Sequence, residues 1–134
     1  MLKDVVQVCT DGSDLSHKGI ESAVEIAKAL GLPVLGMTAV VGKPQTGGLE
    51  AEDKDVQERL LAVKRLAEAA EVPFELVAEH TTEVAQAILD VADRYEARFI
   101  VMASRGLGTL GSLILGSETQ KVLAKADRPV LVIR

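Results

Sequence analysis

The stretch "FIVMASRGLGTLGSLILGS", residues 99–117, contains the two features that decide the fold. Its first five residues are almost continuously apolar, which favours a strand buried on both faces of a sheet. Four glycines follow Ala103 before a helix-like segment begins. Glycines between a strand and a helix allow a backbone to approach a phosphate, but they also mark simple turns. The stretch therefore predicts a strand-to-helix junction and leaves both interpretations of its glycines open.

Apolar runs and helical patterns alternate along the rest of the chain. The predicted strands are residues 5–9, 33–41, 74–78, 99–103 and 129–133. Between them, apolar residues spaced three and four apart predict four helices, one of which we expect Thr82 to cap. This alternation is typical of a doubly wound α/β fold, a parallel sheet with helices on both faces. We expect residues 1–134 to form one such domain.

Composition excludes several classes of function. Aromatic residues make up only 2% of the chain and the net charge is −5, so we expect no nucleic-acid partner, which would require stacking rings or a basic face. The single cysteine, Cys9, excludes an internal disulfide and is expected to be a small buried hydrophobe. No apolar run is long enough for a membrane helix and no signal peptide is visible, which predicts a cytoplasmic location.

Few residues suggest catalysis or a metal centre. His17 and His80 have no neighbouring ligand spacing, so we expect solvated or locally hydrogen-bonded histidines. No nucleophile, base and acid arrangement is recognisable. In the second helix, charges at i,i+4, such as Asp55 and Arg59, predict a solvated face.

Two motifs carry a family resemblance. "VCTDGS", residues 8–13, resembles the opening motif of universal stress proteins, Pro-Thr-Asp-Gly-Ser, with Cys9 in place of the proline. Ala103, Gly106, Gly116 and Ser117 keep the spacing of the family's Gly-x2-Gly-x9-Gly-Ser/Thr motif, and "KVLAKADRPVLVIR" continues the likeness. The resemblance spans the whole chain. It implies the strand order 3-2-1-4-5, a homodimer and, in one subgroup, ATP binding between strands one and four.

The resemblance also implies where an adenine nucleotide would lie. On the adenosine side it places Thr10, Asp11 and Ala39, and beneath the ribose Met102 and Ala103. Around the phosphates it places Gly106, Gly116 and Ser117, with Glu118 at the same end. A Mg²⁺ ion would accompany the phosphates. Glycine-loop amides and a helix N-terminus together attract anions, so the arrangement is physically sound.

Other interpretations of the same residues stay open. Ala103 replaces the first glycine of the motif, and the Glu118 carboxylate would repel a phosphate, so we expect modest affinity. "SETQ", residues 117–120, also fits a capping box, in which the Ser117 hydroxyl accepts from a backbone N–H. Asp11 would contact a ribose or a metal-bound water, or would simply form a turn with Gly12.

The last predicted strand, from Pro129 to Ile133, bears on assembly. It is an edge strand in the family's order, yet its apolar run has none of the charges that protect edges. We therefore expect it to pair with its copy in a twofold homodimer.

Two classes of function follow from the sequence. The first is a stress-response module that binds ATP, ADP or AMP, and the second is a dimeric adaptor of the same fold that binds no nucleotide. A slow ATPase or self-phosphorylating activity is a weaker third hypothesis.

Overall fold

The computed structural model describes residues 1–42, 47–105 and 115–134. Its strands are β1 (Val6–Cys9), β2 (Val34–Val41), β3 (Phe74–Thr81), β4 (Phe99–Ala103) and β5 (Val130–Ile133). Its helices are α1 (Asp14–Leu30), α2 (Lys54–Ala69), α3 (Val84–Arg94) and α4 (Ser117–Lys125), with a short 3-10 turn at Gly48–Ala51 before α2.

The five strands form one parallel sheet in the order β3-β2-β1-β4-β5. The predicted fold class and strand order are confirmed. One face of the sheet packs against α1 and α2 and the other against α3 and α4, so an apolar cluster lies on each side. This double burial explains why β4 is apolar along its whole length and why β1 is apolar except at the buried Gln7.

The third strand is longer than its sequence pattern predicts. Residues 79–81 continue β3 because they pair with residues 39–41 of β2. As expected, β3 lies at an edge of the sheet, and all of its residues are only partly buried.

The start of α3 differs from the prediction. Glu83, not Thr82, is the N-cap residue, and its own side chain makes no capping hydrogen bond. Instead, the hydroxyl of Thr81 accepts from the Glu83 N–H at 2.9 Å and donates to the Glu83 carbonyl at 3.0 Å. The predicted cap by Thr82 is therefore wrong, since the helix begins one residue later.

The described part of the chain contains no helix that is both long and apolar enough to cross a membrane. The cytoplasmic location stays a prediction.

Gly36 is a position where the core requires a glycine. A Cβ atom added there would lie 2.8 Å from both Cγ atoms of Val63 in α2, closer than packed atoms tolerate. We expect Gly36→Ala to lower the free energy of unfolding by about 1–3 kcal/mol, because β2 and α2 must separate. Denaturant unfolding measures this change.

Gly19 is the matched control. It is buried in α1, but an added Cβ would meet its nearest neighbour, Ile133, at an ordinary 3.8 Å. Gly19→Ala should be neutral or stabilising by up to about 1 kcal/mol, since alanine favours a helix interior over glycine. Equal destabilisation by both variants would contradict the packing argument.

Candidate functional site

A cleft opens at the carboxyl ends of β1 and β4. The strand order reverses at this point of the sheet. The chain adds β2 and β3 on one side of β1, and then β4 and β5 on its other side. In open α/β sheets this is the usual place for a ligand. The cleft encloses about 280 Å³, near the lower end of the roughly 300–1,000 Å³ that is usual for small-molecule sites.

Eight of the nine site residues predicted from the sequence line this cleft, brought together from four segments of the chain. They are Thr10, Asp11, Ala39, Met102, Ala103, Gly116, Ser117 and Glu118. The ninth, Gly106, lies outside the described residues. That these residues bind a ligand stays a prediction.

The turn after β1 is held by its own hydrogen bonds. Asp11 Oδ1 accepts from the Ser13 N–H at 3.0 Å, and Gly12 between them has a φ of +85°, which favours glycine. Ser13 then caps α1, its hydroxyl accepting from the Ser16 N–H at 3.1 Å. The turn-forming interpretation of Asp11 is thus observed, and it fixes the backbone that borders the cleft.

Thr10 faces the cleft with its side chain already engaged. Its hydroxyl accepts from the Gly12 N–H at 3.3 Å and shares a 3.1 Å hydrogen bond with the Ser16 hydroxyl. Its carbonyl accepts from the Thr38 hydroxyl at 2.7 Å. Thr10 therefore shapes the turn, and its hydroxyl is committed to the protein.

Arg59 supports the same turn from the opposite face of the sheet. Its ion pair with Asp55, at 2.7 Å, is the predicted i,i+4 contact. The prediction of a solvated face is wrong for Arg59, however. Its guanidinium also donates to the Thr38 hydroxyl at 3.2 Å, and its side chain is only 21% exposed. Its stem packs on the turn, where a Cβ added to Gly12 would lie 3.3 Å away.

The floor of the cleft is apolar. It is formed by Cys9, Met37, Ala39, Ile88 and Met102, which belong to or pack against the apolar cluster beneath α3. Burial raises the pKa of the Cys9 thiol to about 12, so the group is neutral at physiological pH. Such a surface suits the face of a planar ring better than a charged group.

Gly116 and Ser117 form the opposite end, at the start of α4. Gly116 is buried, is the N-cap residue and donates its N–H to the Ser104 carbonyl at 2.7 Å. The capping-box interpretation is wrong, because Ser117 is already the first helical residue and makes no cap hydrogen bond. Gln120 instead donates from its side chain to the Leu115 carbonyl at 2.8 Å.

Glu118 lines the cleft but is partly neutralised. One carboxylate oxygen accepts from the Ala85 N–H at 3.1 Å, at the N-terminus of α3. The other lies 3.3 Å from the ammonium group of Lys121. Both contacts offset the negative charge that the sequence places near the phosphates.

Ala103 occupies the first position of the glycine motif without strain. It ends β4, and it is not among the non-glycine residues with positive φ in the described part of the chain. Its carbonyl accepts from the Thr119 hydroxyl at 2.9 Å. Alanine therefore pays no left-handed backbone penalty at this position.

Arg105 is the residue that the sequence analysis overlooked. It lines the cleft and forms no ion pair with any described residue. Among the described lining residues it is the single cation, beside the acidic Asp11 and Glu118. Its position two residues after Ala103 places it at the end of the cleft that Gly116 and Ser117 occupy, where it can meet an anion.

No group of three His, Cys, Asp or Glu side chains could hold a metal ion in the portions of the chain that the structure covers. His80 is nevertheless no solvated histidine. It pairs with Glu52 at 2.7 Å, and both side chains are more than nine-tenths buried. This pair is absent from the lining of the cleft.

Comparisons with known proteins agree with this fold. The universal stress protein family matches residues 3–134. A universal stress protein of Thermus aquaticus is 38% identical over 128 residues, covering 92% of this chain and 93% of its own. A solved universal stress protein of Archaeoglobus fulgidus superposes with a TM-score of 0.79 at 26% identity, covering 100% and 96% of the two chains.

A universal stress protein of Archaeoglobus fulgidus has also been solved in complex with dAMP. It gives a TM-score of 0.75 at 24% identity and covers 100% of both chains, which shows a common fold. Given the match over nearly its whole length, the chain belongs to the universal stress protein family.

Proposed function

We propose that this chain is a stress-response module that binds an adenine nucleotide in the cleft at the carboxyl ends of β1 and β4. One observation carries the proposal. Eight residues that the family resemblance assigns to a nucleotide lie in four separate segments, and all of them line one cleft.

The two ends of the cleft suit the two ends of a nucleotide. The apolar floor offers a surface for the adenine and ribose, while Arg105, Gly116 and the first turn of α4 offer charge and backbone for a phosphate. A family member has been solved with dAMP, so this fold accommodates an adenine nucleotide in that protein.

The charges of the cleft favour few phosphates. Asp11 and Glu118 oppose a single cation, Arg105, among the described lining residues. Each added phosphate brings more negative charge to that end, so we expect AMP and ADP to bind at least as well as ATP. A Mg²⁺ ion would be held mainly by the phosphates of ATP, which supply the hard oxygen ligands it prefers.

The direct test is to identify what the purified chain carries. Mass spectrometry of the supernatant after acid precipitation should detect an adenine nucleotide, and calorimetry should show one site per chain for AMP, ADP or ATP. GTP is the control, because its base differs while its phosphates do not. Absence of binding by all three adenine nucleotides at millimolar concentration would refute the proposal.

Glu118→Gln tests the electrostatic argument. The amide keeps an acceptor for the Ala85 N–H but removes the charge, so the start of α3 should stay intact. Without any neighbouring charge, the carboxylate would repel a phosphate by roughly 1–3 kcal/mol. Lys121 and the start of α3 already offset part of this repulsion, so we expect ATP affinity to rise by only about 3–10-fold. AMP affinity should rise less, because AMP carries fewer phosphates.

Salt provides the control for this variant. Raised ionic strength should shrink the difference between the wild type and Glu118→Gln, since screening acts on the charge. An equal gain for AMP and ATP would assign the effect to packing and not to repulsion.

The alternative is a dimeric adaptor that binds no nucleotide. The unprotected edge of β5 and the 73% exposed Val41 at the end of β2 favour contacts with other proteins. An intact dimer without nucleotide binding would support this alternative. Phosphate release during incubation with ATP tests the third hypothesis, slow turnover.

A further inference from the structure

Sulfur is concentrated at one place in this protein. The chain has one cysteine and three methionines, and Met1 is 69% exposed at the start of the chain. The other three, Met37, Cys9 and Met102, all line the floor of the cleft. We call these three residues the sulfur row. Elsewhere the described core consists of valine, leucine, isoleucine and alanine with Tyr95, and it contains no sulfur.

The register of the sheet places the sulfur row side by side. Cys9 pairs with Met37 across β1 and β2. Val8 pairs with Val101 across β1 and β4, so Cys9 and Met102 are the next positions in line. Adjacent strands lie about 4.8 Å apart, and all three side chains belong to the cluster on the same sheet face. The Cys9 side chain therefore stands between those of Met37 and Met102 on one face of the sheet.

The geometry points to a binding site for a soft monovalent cation, Cu(I), formed by the sulfur atoms of Cys9, Met37 and Met102. Thiolate and thioether groups are the ligands that select Cu(I) over harder ions. Methionine side chains are flexible enough to turn their sulfur towards an ion, and the cleft provides the entry path. This inference does not rest on nucleotide binding.

Charge balance favours a monovalent ion. Binding replaces the S–H bond of Cys9 by an S–Cu bond and releases one proton to solvent, with no change in oxidation state. The buried group is neutral before and after the exchange. Zn²⁺ would leave one net positive charge on the apolar floor, which is unfavourable because buried charges need a partner.

Competition with a chromogenic Cu(I) chelator under anaerobic conditions tests the site on the whole chain. We expect one Cu(I) per chain. Cys9→Ser should weaken binding by at least about 100-fold, because loss of a ligand exceeds the roughly 10–100-fold effect of losing its supporting contacts. Met37→Leu and Met102→Leu preserve volume and should each weaken binding by about tenfold.

Met1→Leu is the matched control, because it removes the thioether outside the row and should leave affinity unchanged. Unaltered Cu(I) binding in both Met37→Leu and Met102→Leu would overturn the proposal, since a single thiol would then account for binding. X-ray absorption of the wild-type complex provides a test without variants. A shell of three sulfur scatterers supports the row, and a shell with one or none refutes it.

Discussion

The double variant Val130→Lys, Val132→Lys is expected to sediment as a monomer at micromolar concentrations where the wild-type chain is a dimer. β5 is an edge strand of the sheet. On the side facing β4, the Pro129 carbonyl accepts from the Ile100 N–H at 2.9 Å, and the Ile133 carbonyl accepts from the Ser104 N–H at 2.7 Å. The N–H and C=O groups of successive strand residues point to opposite sides of the strand. The N–H and C=O groups of Val130 and Val132 therefore face the open edge. Pairing with a second β5 would satisfy them.

The expected effect on association is large. Two lysines per chain place four positive charges around the twofold axis of the seam, where they repel one another and resist burial. We expect the dimer to weaken by roughly 1,000-fold or more, about 4 kcal/mol. Analytical ultracentrifugation over a concentration series measures the change. A wild-type chain that is monomeric at these concentrations would refute the interface.

Two further variants separate association from folding. Leu30→Lys with Val41→Lys adds the same charge at residues that are 54% and 73% exposed. Leu30 ends α1, and Val41 ends β2, which β1 and β4 separate from β5, so the dimer should persist. Val132→Pro removes only an outward N–H, which an edge strand tolerates. It should weaken the dimer while circular dichroism and melting stay close to the wild type. A stable dimer in Val132→Pro would exclude β5 pairing.

Local sequence patterns predicted the elements of the fold well, because the period of apolar residues reports which faces are buried. The strand order came from the family resemblance, since no local pattern states which strands pair. The end of β3 shows the limit. Residues 79–81 contain a glutamate, a histidine and a threonine, and they form strand because β2 continues beside them. That pairing depends on a strand forty residues earlier in the chain.

The site could be predicted as a list of residues but not as a set of contacts. Glu118 was expected to face a phosphate, and its hydrogen bond to Ala85 links residues 33 positions apart. Arg59 looked solvated because its helix neighbours are charged, yet it reaches Thr38 on β2. His80 and Glu52 are likewise joined only by the fold. Long polar side chains can reach in many directions, and packing selects one.

Gly116→Val is expected to reduce adenine-nucleotide affinity by at least about 100-fold while the chain still folds. Gly116 is buried at the N-cap of α4 and lines the end of the cleft where we propose that phosphates bind. Its φ of −61° and ψ of 153° are open to any residue, so valine introduces no backbone strain. The added side chain must therefore occupy space in or beside the cleft, and displacing a ligand there by a misfit of about 3 kcal/mol corresponds to that loss.

A graded series and a control make this result specific to the cleft. Gly116→Ala adds one methyl group and should lose less affinity than Gly116→Val. Ala124→Val adds bulk to the exposed side of the same helix and should leave calorimetric affinity unchanged. Thermal melting of all three variants checks folding. If Gly116→Val binds AMP and ATP like the wild type, the phosphates lie elsewhere. The Gly116 N–H would then serve only to join α4 to the Ser104 carbonyl, to which it donates at 2.7 Å.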